Sequence, residues 1–386
     1  MDIKAAAQGT VQEYSEQLIE LSHRIHADPE LCFEEEHASE WTAAALAEAG
    51  FTIEAGVANL PTAFVATAGS GPFTVGICAE YDALPGVGHA CGHNVIASAA
   101  VGAGLALAPL ADELGITVKV FGTPAEEGGG GKIIMLDAGV FDGVHAAMMV
   151  HPAPTELDRF PCLAVSHVDV HYHGKSAHAS AFPELGINAA DALTVAQTSI
   201  GLLRQHIRHS DRIHGIVTHG GDAPNIVPES TTGKWYIRSR TLAELAELEP
   251  RVHKCFEAGA LATGCTMELE QVSPRYSEME DNDVLRALYR ANAEALGREF
   301  PDLGDAAHRI VGSTDMANVS LAIPTIHPML GLGCYPVSNH QPEFAAFCAT
   351  PTADRALLDG AAAMAHTVID AATIDDVRNA LLTPAS

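Results

Sequence analysis

Phe73-Thr74-Val75-Gly76-Ile77-Cys78 leads directly into Glu80-Tyr81-Asp82-Ala83-Leu84-Pro85-Gly86-Val87-Gly88-His89-Ala90-Cys91-Gly92-His93-Asn94. An apolar run of strand length thus opens into a polar, Gly-rich turn. A helix of small residues, 95–108, follows the turn and stops at Pro109. Strand, loop and helix in that order make half of a βαβ unit, which carries its functional side chains beyond the strand's C-terminal end. The same grammar recurs downstream. Residues 116–121 read as a buried strand ending in Gly122-Thr123-Pro124-Ala125-Glu126-Glu127, with a helix at 131–138. Residues 146–150 read as another strand, ending in His151-Pro152. Upstream, 12–26 and 38–49 have helical apolar spacing, and 62–66 is a short β-rich run.

The pattern changes between about 163 and 272. Strand 163–172, helix 189–209, strands 213–219 and 231–240, helix 242–262 and strand 266–272 give a β-α-β-β-α-β order, the ferredoxin-like arrangement. From Asp281 onward, helix and strand alternate again and end in a long C-terminal helix. The expected fold is therefore α/β with two domains. A mostly parallel-sheet domain is formed by 1–162 and 273–386, and a ferredoxin-like α+β domain at 163–272 is inserted into it. No internal repeat or low-complexity linker interrupts this plan.

Composition narrows the function. The chain has 386 residues, 47% hydrophobic and 18% charged, which is a globular balance. Its formal charge of -28 disfavours nucleic acid and anionic membrane surfaces as partners, because both require basic patches. No apolar run approaches the roughly 20 residues that span a bilayer. With no export signal at the polar start, the cytoplasm is the expected compartment. The eight cysteines show no regular pairing and read as reduced thiols. Cys32, Cys78, Cys162, Cys255, Cys265 and Cys348 sit in apolar surroundings and read as small core residues. Cys91 differs, because it lies between two histidines in a Gly-rich turn.

Taken singly, each polar residue has an ordinary explanation. Cys91 could be a buried thiol, His93 a cap, Glu126-Glu127 a solvated helix start, and His151 the end of a strand. Taken together at three successive strand ends, they read as a metal site. Thiolate, imidazole and carboxylate suit a borderline divalent ion such as zinc, and the carboxylates also suit manganese. Two adjacent glutamates permit one to bind metal while the other acts as general base on a metal-activated water. Nucleotide readings fail on spacing. Gly86-Val87-Gly88-His89-Ala90-Cys91 puts Cys91 where the dinucleotide fingerprint needs Gly or Ala. A phosphate loop ending at Gly131-Lys132 would need Gly at Glu126 and Ser or Thr at Ile133. There is no Gly-x-Ser-x-Gly elbow for a serine hydrolase.

Over nearly its whole length the chain resembles metallopeptidase family 20, which includes aminoacylases, glutamate carboxypeptidases and auxin-conjugate amidohydrolases. The motifs that carry the resemblance are His26-Ala27-Asp28-Pro29-Glu30-Leu31, Asp82-Ala83-Leu84-Pro85, His89-Ala90-Cys91-Gly92-His93-Asn94 and Pro124-Ala125-Glu126-Glu127-Gly128-Gly129. They continue as Val150-His151-Pro152, Gly174-Lys175-Ser176-Ala177-His178-Ala179, Asn225-Ile226-Val227-Pro228, Gly312-Ser313-Thr314-Asp315 and Asn339-His340. The string from Glu80 to Asn94 points to the branch of β-alanyl-lysine-type dipeptidases and p-aminobenzoyl-glutamate hydrolase subunits.

The resemblance implies two divalent ions per subunit, manganese or zinc with cobalt as a substitute, held by Cys91, His93, Glu127, His151 and His340. It implies Glu126 as the base, Asp82 as the residue orienting a ligand, and His178 as the group stabilising the oxyanion from the partner subunit. It also implies that Asn225 and Arg238 hold a substrate carboxylate, and that the inserted domain is a lid that forms a homodimer. Two departures stand out. Many relatives have Asp at the position of Asn94, and those with a His-x-Asp motif have His at Glu80 and bridge the metals with Asp instead of Cys91. A thiolate at that position makes activity sensitive to oxidation.

The remaining histidines are assigned no metal. His167, Asp169, His171 and His173 recur every second residue and read as one polar, exposed or dimer-facing strand face, and His206, His209 and His214 are read the same way. The expected function is metal-dependent hydrolysis of an amide bond in small N-acyl amino acids or dipeptides. The alternative is a metal-bound, non-catalytic binding protein of the same fold. A thiol-redox protein centred on Cys91 has no resolving cysteine nearby, the nearest in sequence being Cys78 and Cys162.

Overall fold

The computed structural model describes residues 2–304 and 311–383. The chain falls into two compact units, Met1–Pro161 with Met279–Ser386, and Cys162–Glu278. The first unit carries strands β1 (Thr52–Ala55), β2 (Phe64–Gly69), β3 (Phe73–Glu80), β4 (Ile116–Thr123), β5 (Ala146–Met148) and β6 (His151–Ala153). The second carries β7 (Ala164–His173), β8 (Arg212–His219), β9 (Ser230–Ser239) and β10 (Thr266–Gln271). Two short strands, β11 (Thr325–Ile326) and β12 (Met329–Gly331), return to the first.

The central sheet of the first unit runs β1-β2-β4-β3-β5-β11. Pairs β4/β3, β3/β5 and β5/β11 are parallel, and the edge pairs β1/β2 and β2/β4 are antiparallel. The near-continuous apolar runs of β3 and β4 become its centre, as strands buried on both faces require. Alternation sends their side chains into two cores. Val75, Ile77, Val118 and Val120 enter one, while Cys78, Phe121, Ala147 and Met149 enter the other.

The helix after β3, His93–Leu107, is buried at every position. Small residues make this possible: a Cβ on Gly102 would lie 2.9 Å from both Ala361 Cβ and Leu18 Cδ1, on two of the helices packed against it. The helical stretch His93–Leu114 has the length and composition of a membrane span, contrary to the expectation of no such run, but most of it lies inside this core.

In the second unit, the order β10-β7-β9-β8 forms an antiparallel sheet. Helices Ala189–Leu203 and Leu242–Thr263 cover one face, packing on Val168, Val170, Tyr172, Trp235 and Ile237. The opposite face carries His167, Asp169, His171 and His173, but it is not uniformly exposed. His167 is buried, bonded to Ser273 at 2.9 Å with its ring tilted against that of Tyr236, and of the four only His173 is exposed.

Several expectations need correction. The helix expected over 12–26 is two, Ile3–Glu13 and Ser15–Ala27, broken at Tyr14, whose φ and ψ leave the helical range. The helix expected to reach His209 ends at Leu203 and tightens into a 3₁₀ turn. The strand expected over 146–150 is only Ala146–Met148, because the chain then leaves to pair β6 with β12 in a separate ladder. Strand β1 was not anticipated. Residues 273–278 belong to the second unit, since the backbones of Tyr276 and Val165 bond each other reciprocally at 3.0 and 3.1 Å. Cys32 is not a core residue: it is partly exposed and its thiol faces the Asp82 carboxylate at 3.6 Å.

Candidate metal centre

Adjacent strands β4, β3 and β5 end side by side, and their ends deliver the polar residues to one place. After β3 the chain turns through Ala90 and Cys91 to Gly92, which caps the His93–Leu107 helix in the left-handed region at φ 80°. No other residue fits at that position. A Cβ there would lie 2.9 Å from Pro152 Cβ and Cγ and 3.1 Å from Cys348 Sγ. The close approach brings the Cys91 turn against the His151-Pro152 strand.

Cys91 Sγ lies 3.4 Å from His151 Nε2 and 3.6 Å from His340 Nε2. Glu127 Oε2 lies 3.6 Å from the same His340 nitrogen. His340, itself at φ 70°, is tied to the turn by its N–H, which donates to Ala90 O at 2.8 Å. The donor atoms form overlapping groups within 4.8 Å: Cys91, His93 and His151; Cys91, Glu127 and His340; and Glu80, His93 and Glu126. All five ligands expected from the sequence are thus brought together, with Cys91 common to two groups. His340 is the exposed member, and the rest are largely buried.

Supporting contacts fix which atoms face inward. His93 Nδ1 is paired with Asp82 Oδ1 at 3.0 Å, leaving Nε2 for an ion. His151 Nδ1 donates to Pro152 O at 2.8 Å, again leaving Nε2 toward Cys91. Asp82 also accepts the Glu127 N–H at 3.0 Å, so one carboxylate contacts two candidate ligands. Glu126 and Glu127 diverge because Ala125 sits at φ 59°, its N–H bonded to the buried Glu35 carboxylate at 2.9 Å.

The electrostatics fit a cation. Burial, then the charges of Glu127 and Glu126, pushes the Cys91 thiol well above its ordinary value. Burial, then Glu80 and Glu127, does the same to the Glu126 carboxyl. His93 is held well above its ordinary range, burial being outweighed by Asp82 and Glu80. For Asp82, burial is outweighed by His93, and it drops to about 2. Burial and the neighbouring His327 lower His151 to about 3. A buried thiol among carboxylates ionises only if a positive charge joins them. Two inward atoms, His93 Nε2 and Glu127 Oε1, are buried without a hydrogen-bond partner, as groups kept for coordination would be.

Sequence reasoning missed several contributors. Glu35 shapes the Glu126 turn and also accepts from Phe33 N and Thr62 Oγ1. Asn339 Nδ2 donates to Pro152 O at 3.0 Å and stands 3.9 Å from Cys91 Sγ. Lys132 is wholly buried and pairs with Glu80 and Asp315. His327 follows β11, a fourth strand end beside β5, with its ring 5.4 Å from that of His151. Of these residues, Glu80, Asn339 and Asp315 lay within the motifs that carry the resemblance, and a buried lysine leaves no mark in sequence.

The remaining expected residues lie in the second unit. His178 is exposed, and its Nδ1 accepts the Ala181 N–H at 3.2 Å, which directs Nε2–H outward as a donor. Asn225 is beside it, its carbonyl accepting the Ala179 N–H at 3.0 Å. Arg238 stands on β9 with Nε 3.3 Å from His214 Nε2 and its guanidinium over Tyr236.

An α/β sheet that gathers Cys, His and Glu donors in overlapping groups, with an adjacent second glutamate, defines a metallohydrolase site. Comparison with known proteins gives the family. The profile of peptidase family M20/M25/M40 matches residues 76–370, and the chain belongs to that family as a metal-dependent amidohydrolase. It is 37% identical to the Xaa-Arg dipeptidase of Mus musculus over 383 residues, 95% of this chain and 88% of the relative. It is 34% identical to a p-aminobenzoyl-glutamate hydrolase chain of Escherichia coli (strain K12) over 293 residues, 70% of this chain and 61% of that one. Among solved structures, a dinuclear metal binding peptidase from the M20 family of Bacillus subtilis shares the fold at a TM-score of 0.65 and 21% identity, covering 93% of this chain and 99% of its own.

Proposed function

We propose that this protein hydrolyses the amide bond of small N-acyl amino acids or dipeptides carrying a free carboxylate. In this reading Cys91, His93, Glu127, His151 and His340 hold two divalent ions, manganese or zinc. The ions supply Lewis acidity, which lowers the pKa of water and polarises the scissile carbonyl. Glu126 takes the proton from the attacking water on its carboxylate and returns it to the amine nitrogen as the C–N bond breaks. Asp82 keeps His93 and Glu127 in orientation. His178 donates from Nε2 to the developing oxyanion, acting across a homodimer formed through the second unit, while Asn225 and Arg238 bind the substrate carboxylate. The relative named as an Xaa-Arg dipeptidase makes dipeptides with a basic C-terminal residue the first substrates to try. The cytoplasm suits this chemistry, since eight free cysteines, one of them a ligand, require reducing conditions.

One observation carries the reading: both carboxylates stand 3.9 Å from His93 Nε2, but Glu127 reaches on to group with Cys91 and His340, whereas Glu126 groups with Glu80 and His93. A protein that only binds metal has no need of that second, differently aimed carboxylate. The test is Glu126→Gln in metal-loaded protein, assayed on N-acyl amino acids and on β-alanyl, lysyl and arginyl dipeptides. Turnover should fall by about 10²–10⁴-fold with metal content unchanged. Near-normal turnover would remove Glu126 as the base. Mixing Glu126→Gln with His178→Ala protomers should regain activity if His178 works across the dimer, and no regain would assign it to its own protomer.

A further inference from the structure

Glu80, Lys132 and Asp315 have no task in the proposed reaction, yet all three side chains are fully buried beside the metal centre. Lys132 Nζ lies 2.6 Å from Glu80 Oε1 and 2.7 Å from Asp315 Oδ1, and its backbone N–H donates to Asp315 Oδ2 at 2.9 Å. Desolvating three charges costs several kcal/mol per ion, and well-packed apolar residues would serve stability as well or better. The cluster therefore answers a need other than packing.

The two Glu80 oxygens are used differently. Oε1 is held by Lys132. Oε2 has no hydrogen bond and faces His93 Nε2 at 3.5 Å, an atom that also has none. His93 cannot turn its other nitrogen inward, because Asp82 occupies Nδ1. Two buried ligand atoms thus face each other at ion-pair distance with no hydrogen bond among the described residues, and Glu126 joins them within 4.8 Å.

We propose that Glu80 is a sixth donor of the metal centre, giving Oε2 to the ion held by His93, and that Lys132 and Asp315 are positioning residues that fix its orientation. This deepens the metal-centre reading and rests on it. The cause lies in the chemistry of the donor set. Cys91, His93 and His151 alone offer one thiolate and two imidazoles, which suit zinc. An added carboxylate oxygen shifts the site toward manganese, a harder ion. With Lys132 holding Oε1, Glu80 can donate through one oxygen only.

The experiment uses full-length protein stripped with a chelator, then titrated with Mn²⁺ and separately with Zn²⁺ against a chromophoric competitor. Cobalt absorption and the melting temperature of the metal-free form are followed in parallel. Wild type should bind two ions. Glu80→Gln should weaken one manganese site by about tenfold or more, leave the other unchanged, affect zinc less, and alter the cobalt spectrum. Unchanged affinities for both ions together with an unchanged spectrum would overturn the proposal while leaving the metal centre standing. Failure of wild type to take up ions would instead overturn the metal centre, and the proposal with it. Should Glu80→Gln not fold, Glu80→Asp keeps the charge near Lys132 but withdraws the donor by one methylene. That variant should lose manganese affinity at one site, and unchanged affinity in it refutes the assignment.

Discussion

Replacing Asp82 with asparagine isolates the contribution of a residue that touches no substrate in the proposed reaction. In the wild type, Oδ1 pairs with His93 Nδ1 and Oδ2 accepts the Glu127 N–H, both at 3.0 Å. Asparagine has the same shape but turns one acceptor into an NH₂ donor. If that NH₂ faces Glu127, two donors meet, and a buried backbone N–H loses its partner at a cost of about 1–3 kcal/mol. If it faces His93, the imidazole must accept at Nδ1 and carry its proton on Nε2, the nitrogen that must be bare to hold an ion. Neither orientation preserves both ligands. The expected loss in metal affinity is about 10–100-fold, or about 1.4–2.7 kcal/mol. Competition with a chromophoric chelator measures it, and the melting temperature of the metal-free variant separates loss of fold from loss of binding. Affinity within about twofold of wild type, in a folded variant, would refute the claim that one carboxylate orients two ligands.

Gly92→Ala should destabilise the protein by about 2–4 kcal/mol, since a left-handed φ of 80° and contacts of 2.9 Å to Pro152 both oppose the new methyl; urea unfolding would show it, and a change below about 1 kcal/mol would contradict the crowding. His167 gives a pH dependence. Burial, then the charges of Arg238 and His214, lowers it from 6.5 to about 4. The unfolded chain therefore accepts a proton that the folded chain refuses, so stability is intact above 6.5 and falls as pH drops toward 4. His167→Phe should remove about 2.5 kcal/mol of the difference in unfolding free energy between about pH 7.5 and about pH 4.5; an unchanged difference would show that the imidazole titrates freely.

What the sequence disclosed follows from what leaves a local mark. The central strands were legible because β3 and β4 are largely apolar runs, and the candidate ligands because Cys91, Glu127 and His151 follow three strands that lie side by side. The β-α-β-β-α-β order of the second unit was legible for the same reason. Features set by distant contacts were not. The break at Tyr14 lies within an unbroken apolar pattern. Strand β1 reads Thr-Ile-Glu-Ala, too short and too polar to declare itself, and it exists because β2 offers an edge. The extent of the second unit to Glu278 depends on Tyr276 bonding Val165, over a hundred residues earlier. Glu35 and Lys132 act on the site from 90 and 183 residues away from their partners Ala125 and Asp315, and no spacing rule reaches that far.

The glutamate pair shows how fold turns two identical neighbours into different chemical groups. Sequence alone allows Glu126 and Glu127 to exchange roles. In the structure they cannot, because the backbone that leads into them is held from both sides. Glu35 binds the Ala125 N–H at 2.9 Å, and the Ala125 carbonyl accepts from Gly129 and Gly130 at 2.9 and 2.8 Å, fixing a left-handed bend. Asp82 then holds the Glu127 N–H, and the same carboxylate holds His93. A bend at φ 59° costs a non-glycine residue about 1–2 kcal/mol, and the three bonds that enforce it offset that strain. Past the bend, Glu127 reaches Cys91 and His340 and Glu126 groups with Glu80, both carboxylates standing 3.9 Å from His93 Nε2. The division of labour proposed for base and ligand thus leans on the backbone at Ala125, and a substitution that relaxes Glu35 should blur it before it unfolds the protein.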